Sequence, residues 1–438
     1  MRMEDMVIAS VDDHIVEPPD MFDNQLTKAQ RANAPQIQEV DGHQIWVWDD
    51  LAKPNIGLNA VVGRPKNEWG MEPHRFEHMR KAAYDVDARV DDMNANGNFA
   101  SLGFPTYAGF HGALFVQRAQ KDPKNAYEVL KAYNNWHIDE WCGKHPTRFI
   151  PLALVPMWNV DDTVDEIERV LDKGCRAITF ASNPAGMGLP GIHRPEWEPL
   201  WEICDREGVM INCHIGSGTP VPHPSPESPI EAWITAMPMS ISNAAADWIT
   251  LEAFLRYPNL KMALSEGGIG WVPYLLERAD FTNRHHGAWT NKSYGDKKPS
   301  DVFRDHIITC FIEDDVGLLT RHLIGIDNIT LEVDYPHSDC LWPDFPEGVW
   351  RSIESVPGGI PDDEIDKITH QNVFREWHFD GMERAGGREH CTVEALRKLA
   401  SNVDIEPVSL DGIAPRGYAR GKVVTSEDIV GVTAPAEG

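Results

Sequence analysis

Eight short apolar runs, separated by stretches of helical periodicity, constrain this chain more than any other feature. They are residues 7–14 (VIASVDDH), 98–105 (NFASLGFP), 148–156 (RFIPLALVP), 176–182 (RAITFAS), 209–215 (VMINCHI), 261–267 (KMALSEG), 306–312 (HIITCFI) and 330–336 (TLEVDYP). Each has strand length and a β-branched or aromatic bias. Most of the intervening segments place apolar residues on one helical face. In DTVDEIERVLDKG these are Val164, Ile167, Val170 and Leu171, with Gly174 where a helix C′ residue is expected. In PEWEPLWEICDREG they are Trp197, Leu200, Trp201 and Cys204, closed by Gly208. Strand–helix alternation repeated eight times predicts an α/β chain with a parallel sheet, closed as a (β/α)8 TIM barrel. An open doubly wound sheet is the alternative. The GxGxxG loop that would support a dinucleotide fold does not follow the first run.

The remaining segments predict the domain layout. A barrel over residues 1–380 carries a long insertion at 17–85, too long for a plain connector. Its DGHQIWVWDD alternates like a strand or hairpin, and we expect it to cover the barrel mouth. The Pro/Ser-rich stretch 216–229 reads as a loop near the ligand, and 381–438 as a partly irregular C-terminal extension. The formal charge of −28 excludes the basic footprint that nucleic acid or an anionic membrane requires. No run approaches the ~20 apolar residues of a membrane helix, and the N-terminus lacks the apolar stretch of a secretory signal. Seven scattered cysteines without a CxxC pair fit reduced thiols in a cytoplasmic enzyme.

In a barrel of this kind the working residues stand at the carboxyl ends of the strands. The first strand ends Asp12-Asp13-His14, and a period of two gives Asp12 and His14 one face if Val11 and Ile15 face the helices. The fifth ends with His214. The eighth alternates apolar Leu331, Val333 and Tyr335 with acidic Glu332 and Asp334. Carboxylates aimed into a barrel are costly unless a cation neutralises them. Asp12, His14, His214 and Asp334 together suit one divalent metal, Zn²⁺ in preference to Mn²⁺. Asp334 is then placed to move a proton, Glu266 after the sixth strand to act as acid/base or to orient substrate, and His337 to bind substrate or pair with a carboxylate. Each also has an ordinary reading: a strand-end histidine that only hydrogen-bonds, or a carboxylate capping the next helix. Tyr107, His111, Trp271 and Arg284 are candidate substrate contacts; Arg284, which follows the helix after the sixth strand, is read either as a partner for a substrate carboxylate or as a solvated helix end.

The pieces SVDDHIVEPPDMF, FASLGFPTYAGFHG, INCHIGSG, SEGGIGWVP and LEVDYPHSDCLWP, in that order and followed by THQNVF at 369–374, resemble a known family. They are similar to the amidohydrolase-related metal-dependent enzymes of the amidohydrolase superfamily, in the grouping around aminocarboxymuconate semialdehyde decarboxylase. The resemblance spans about residues 7–376 and implies a (β/α)8 barrel with one divalent metal. It places Asp12-x-His14 in the slot usually filled by His-x-His, and maps the strand-five histidine to His214 and the strand-eight aspartate to Asp334. Where many relatives carry a catalytic histidine after strand six, this chain has Ser-Glu-Gly-Gly, which directs attention to Glu266. The strand-four ending ITFAS has no lysine, so a carbamylated-lysine binuclear centre is not expected.

From these residues the leading expectation is a metal-dependent hydrolase, in which metal-bound hydroxide attacks an amide, ester or activated C–C bond. The alternative is non-oxidative decarboxylation of a hydroxybenzoate-like or muconate-semialdehyde-like acid, using the same ligands. A metal-binding barrel without catalysis is the third reading. The substrate is expected to be small and partly aromatic, because Trp46, Trp48, Tyr107, Phe110, Trp271 and Trp342 fall in mouth segments. The Trp-rich insertion and the tail suggest a homo-oligomer, a dimer or larger.

Overall fold

A computed structural model describes residues 1–53, 55–70, 73–222, 224–413 and 421–428. Its main sheet contains β1 (Ala9–Ile15), β5 (Ala100–Pro105), β6 (Phe149–Ile150), β7 (Ala153–Leu154), β8 (Ala177–Thr179), β9 (Met210–His214), β10 (Lys261–Ser265), β11 (Ile307–Phe311) and β12 (Ile329–Leu331). The order is β6-β5-β1-β12-β11-β10-β9-β8-β7, with every pairing parallel. The end members β6 and β7 are separated only by Pro151 and Leu152, so they are two halves of one interrupted stave. Counted that way, eight staves close a ring, as the apolar runs predict.

The interruption has a local cause. Pro151 has no N–H to give a neighbour. The backbone groups released around it are taken up from the helical segment alongside. Leu152 N–H donates to His137 Nε2 at 3.2 Å, and Asn134 both donates to the Leu154 carbonyl and accepts its N–H at 2.9 Å. The helices form the outer layer. In Val160–Leu171, Ile167 and Val170 are buried, and Gly174 is left-handed at φ 83°. In Glu198–Glu207, Leu200, Trp201 and Cys204 are buried, and the chain leaves through Gly208 at φ 66°. Both helices sit where their periodicity placed them.

Between β1 and β5 lies an antiparallel sheet of β2 (Gln36–Val40), β3 (His43–Trp48) and β4 (Leu51–Lys53). Asp41 and Gly42 join β2 to β3 with positive φ at both positions, the backbone a two-residue hairpin turn requires. Trp46 and Trp48 of β3 are buried, and Trp46 lies 5.0 Å from the Tyr107 ring. At the opposite end of the chain, Thr392 bridges to Val7 and Trp377 Nε1 donates to Asn212 Oδ1, so residues past 376 close against the barrel. Among the described residues no helix is long and apolar enough to cross a membrane.

Candidate metal centre

The strand-one arm is built differently from a simple alternation. Val11 belongs to the same buried cluster as Ala9, Leu102 and Ile150, not to a helix-facing layer. The register of β1 against β5 slips by one residue between Ser10 and Asp13, a β-bulge. The Ser10 hydroxyl fills it, donating to the Asp12 carbonyl at 3.0 Å. The bulge resets the alternation, so Asp12 and His14 both reach the cluster described below even though Val11 also packs inward. The expectation that Val11 faces the helices is therefore corrected.

At the carboxyl ends of the staves, Asp12, His14, His214 and Glu266 bring one ligand-type atom each to within 4.8 Å of one another, as do His14, Asp334 and His337. His214 Nε2 is 2.9 Å from Glu266 Oε2 and 3.4 Å from Asp12 Oδ2. His14 Nε2 is 3.1 Å from Asp334 Oδ1, and His337 Nδ1 is 3.0 Å from the same oxygen. The sequence thus brings six of its candidates to one place: Asp12, His14, His214, Glu266, Asp334 and His337. Backbone bonds hold the first and last arms together: His14 N–H donates to the Tyr335 carbonyl and Asp334 N–H to the Asp12 carbonyl. Glu266 (φ 60°) and Asp334 (φ 57°) are left-handed residues without being glycine, a conformation that costs about 1–3 kcal/mol and recurs at functional sites.

The chemistry of this set fits a divalent cation. Both Asp12 oxygens, both His14 nitrogens, His214 Nε2, both Asp334 oxygens and His337 Nε2 are buried without a hydrogen-bond partner. His214 Nδ1 lies 2.8 Å from the Ile215 carbonyl, which can only accept, so the proton sits on Nδ1 and the Nε2 lone pair faces the cluster. Buried oxygen and imidazole acceptors pressed together repel unless a cation lies among them. Burial, reinforced by the Glu332 and Glu266 charges, pushes the Asp12 carboxyl well up. Burial alone would also raise Asp334, yet His337 and His14 hold it below the usual carboxylate range. Burial and the neighbouring His337 push His14 well down, towards the neutral form a ligand needs. Glu332 is driven up to about 8 by burial; its Oε2 accepts the Glu266 N–H at 2.8 Å and the Cys310 thiol.

The other sequence candidates separate. Tyr107 and His111 are buried in the segment after β5, where Phe110 lies 4.1 Å from the His214 ring and 4.8 Å from His14. Trp271 is half-buried and its indole N–H is used on the Gly267 carbonyl at 2.8 Å. Arg284 is not brought to the cluster. It is exposed on the helix Val272–Thr290, with its guanidinium 5.8 Å from the Phe281 ring. Thirteen residues past Trp271, it stands about 20 Å further along the axis. This matches the solvated-helix reading of Arg284 and not the substrate contact.

Two supporting residues were not foreseen. Arg89 is buried and donates to the His14 carbonyl at 2.6 Å and the Ala82 carbonyl at 2.7 Å. Glu17 is buried and accepts from Thr106 N–H, Tyr107 N–H and the Tyr133 hydroxyl, fixing the turn that carries Phe110. The only signal for Arg89 is its spacing of four from buried Met93.

A closed α/β barrel with a carboxylate–imidazole cluster at its carboxyl ends defines the structural class. A sequence model of the family described as Amidohydrolase matches residues 74–375, more than half of the chain. The chain belongs to the amidohydrolase family, as the ordered motifs imply. Among curated proteins it is 26% identical over 313 residues to 2-amino-3-carboxymuconate-6-semialdehyde decarboxylase of Dictyostelium discoideum, covering 68% of this chain and 77% of that one. It is 24% identical over 305 residues to gamma-resorcylate decarboxylase of a Rhizobium species, covering 66% and 86%. Among solved structures, an amidohydrolase from Mycobacterium avium subsp. paratuberculosis matches with a TM-score of 0.63 at 21% identity, over 85% of this chain and 99% of that one. A 5-carboxyvanillate decarboxylase from Novosphingobium aromaticivorans with bound manganese matches with a TM-score of 0.57 at 16% identity, over 85% and 97%. These likenesses establish the barrel fold.

The comparisons overturn the expectation of hydrolysis. The curated relatives are decarboxylases, not hydrolases. The reason the residues pointed the wrong way is physical: a metal held by two carboxylates and two imidazoles serves either reaction, so ligand spacing does not separate them.

Proposed function

We propose that this enzyme is a metal-dependent, non-oxidative decarboxylase of a small carboxylated aromatic or muconate-type acid. The observation that carries this reading is the decarboxylase activity named for both curated relatives, each matched over about two thirds of this chain. The buried donor cluster supports it. Asp12, His14, His214 and Asp334 would hold one divalent ion, Mn²⁺ or Zn²⁺, with Glu266 in reach. When bound, the ion supplies positive charge that orients the substrate's carboxylate and hydroxyl oxygens and stabilises negative charge developing next to them.

The chain's own groups supply the rest. The bond between the substrate carbon and its carboxylate breaks, CO₂ leaves, and the electron pair stays on carbon, which takes up one proton. Within the cluster, Asp334 Oδ1 and His337 Nδ1, 3.0 Å apart, form the pair that would hold the proton, and His337 Nε2 is buried without a partner. Burial lowers His337, but the Asp334 charge outweighs it and the imidazole is raised overall. Phe104 and Phe110, packed 5.0 and 4.1 Å from the His214 ring, form apolar walls that exclude water beside the reacting carbon.

The helix Val272–Thr290 buries only Val272 and Leu276 and exposes Tyr274 and Trp289, which supports a homo-oligomer. All seven cysteines are free and buried, which supports a cytoplasmic location. The experiment is to incubate the metal-loaded enzyme with 2,6-dihydroxybenzoate, 5-carboxyvanillate and related acids in ¹⁸O-water. Release of CO₂, with no ¹⁸O in the aromatic product, is expected. A product that gains one oxygen from water without CO₂ release would overturn the reading.

A further inference from the structure

Lys53 is the last residue of β4 and pairs directly across the sheet with Trp46. Directly opposed residues in a sheet present their side chains on the same face, so Lys53 shares a face with a buried tryptophan. Trp46 packs on Tyr107 at 5.0 Å, and three residues later Phe110 packs on His214 at 4.1 Å. The turn after β5 therefore runs from the Lys53 side of the mouth to the imidazole cluster.

This ammonium has neither hydrogen bond nor ion pair among the described residues. It is half-buried, and the sheet sequesters it enough to push its pKa down, against the pull of Glu17. Glu17 is not in contact with it; that carboxylate accepts instead from Thr106 N–H, Tyr107 N–H and the Tyr133 hydroxyl. The Lys53 charge is also felt at His111. Trp46 Nε1, across the sheet from it, and Thr106 Oγ1, Tyr107 Oη and His111 Nδ1, on the turn that Trp46 packs against, are all buried without partners. A partly desolvated cation among unpaired polar atoms is the chemistry of an anion subsite.

We propose that Lys53 anchors a second anionic group of the substrate, a carboxylate distinct from the one lost at the metal centre. The enzyme then prefers acids carrying two carboxylates over monoacids. This rests on the decarboxylase reading, but its test does not require turnover.

The probes are benzoate and the three benzenedicarboxylates, titrated onto the metal-loaded full-length chain and followed by tryptophan fluorescence and calorimetry. The wild type is expected to bind at least one dicarboxylate about tenfold more tightly than benzoate, the size of one charge-assisted contact. Lys53→Met should reduce that preference to within about twofold while leaving benzoate affinity unchanged, and Lys53→Arg should largely retain it. Lys53→Gln carries the test if the methionine variant does not fold. Equal affinities in the wild type, an undiminished preference in Lys53→Met or Lys53→Gln, or parallel loss of both ligand classes would overturn the proposal. A preserved preference without CO₂ release would instead count against the decarboxylase reading alone.

Discussion

Arg89→Met tests how the strand-one arm is held. Arg89 is buried beneath the site, donating through Nη2 to the His14 carbonyl at 2.6 Å and through Nε to the Ala82 carbonyl at 2.7 Å. Its guanidinium lies 4.4 Å from the Tyr335 ring and is the principal positive charge opposing Asp13, whose carboxyl burial drives up to about 7. Methionine keeps the apolar stem but removes both donors. Each stranded carbonyl costs about 1–3 kcal/mol. Removing one partner from a buried charged pair costs about 3–5 kcal/mol. The two routes count overlapping contacts, so they are not summed, and we expect a loss of about 3–5 kcal/mol. Urea denaturation followed by far-UV circular dichroism measures it. Because the freed carbonyl is that of His14, metal affinity should fall in parallel. Arg89→Lys, which keeps the charge without the fork, should lie between the two. A loss below about 1 kcal/mol with undiminished metal affinity would refute the argument.

Two further outcomes follow from other parts of the molecule. His137 is buried, and its Nε2 accepts the Leu152 N–H where the third stave is broken, so burial lowers its pKa from 6.5 to about 4. Between those values the unfolded chain binds a proton that the folded chain does not. Stability should therefore fall as pH drops from 6.5 to 4, by up to about 3 kcal/mol from this group. His137→Gln, which keeps an acceptor, should flatten that slope, and identical slopes in thermal melts across this window would contradict the assignment. Replacing exposed Tyr274 and Trp289 by glutamate should shift the mass in light scattering from oligomer towards monomer without lowering the melting temperature of the barrel; an unchanged mass would remove that helix from the interface.

All eight staves were legible because parallel barrel strands are buried on both faces and read as continuous apolar runs. The acidic face of the eighth was legible for the opposite reason: Glu332 and Asp334 interrupt an apolar run at a period of two. The bulge at Ser10 to Asp13 was not, since nothing in ASVDDH distinguishes a regular strand from one that gains a residue. Arg89, Glu17 and Lys53 were missed because their roles depend on pairings that link distant segments: Arg89 with His14, Glu17 with Tyr107, Lys53 across from Trp46. Arg284 was misplaced because helical periodicity says which face is buried but not where the far end of a helix points. The choice between hydrolysis and decarboxylation lay outside the reach of ligand types altogether.

On the proposed function, this buried set of acceptors holds one divalent ion. Metal analysis of the purified wild type beside His214→Ala, both dialysed against Mn²⁺ or Zn²⁺ and then metal-free buffer, tests it most directly. About one ion per chain is expected in the wild type and almost none in the variant, with both proteins folded. Equal metal in the two, or none in the wild type, would contradict it.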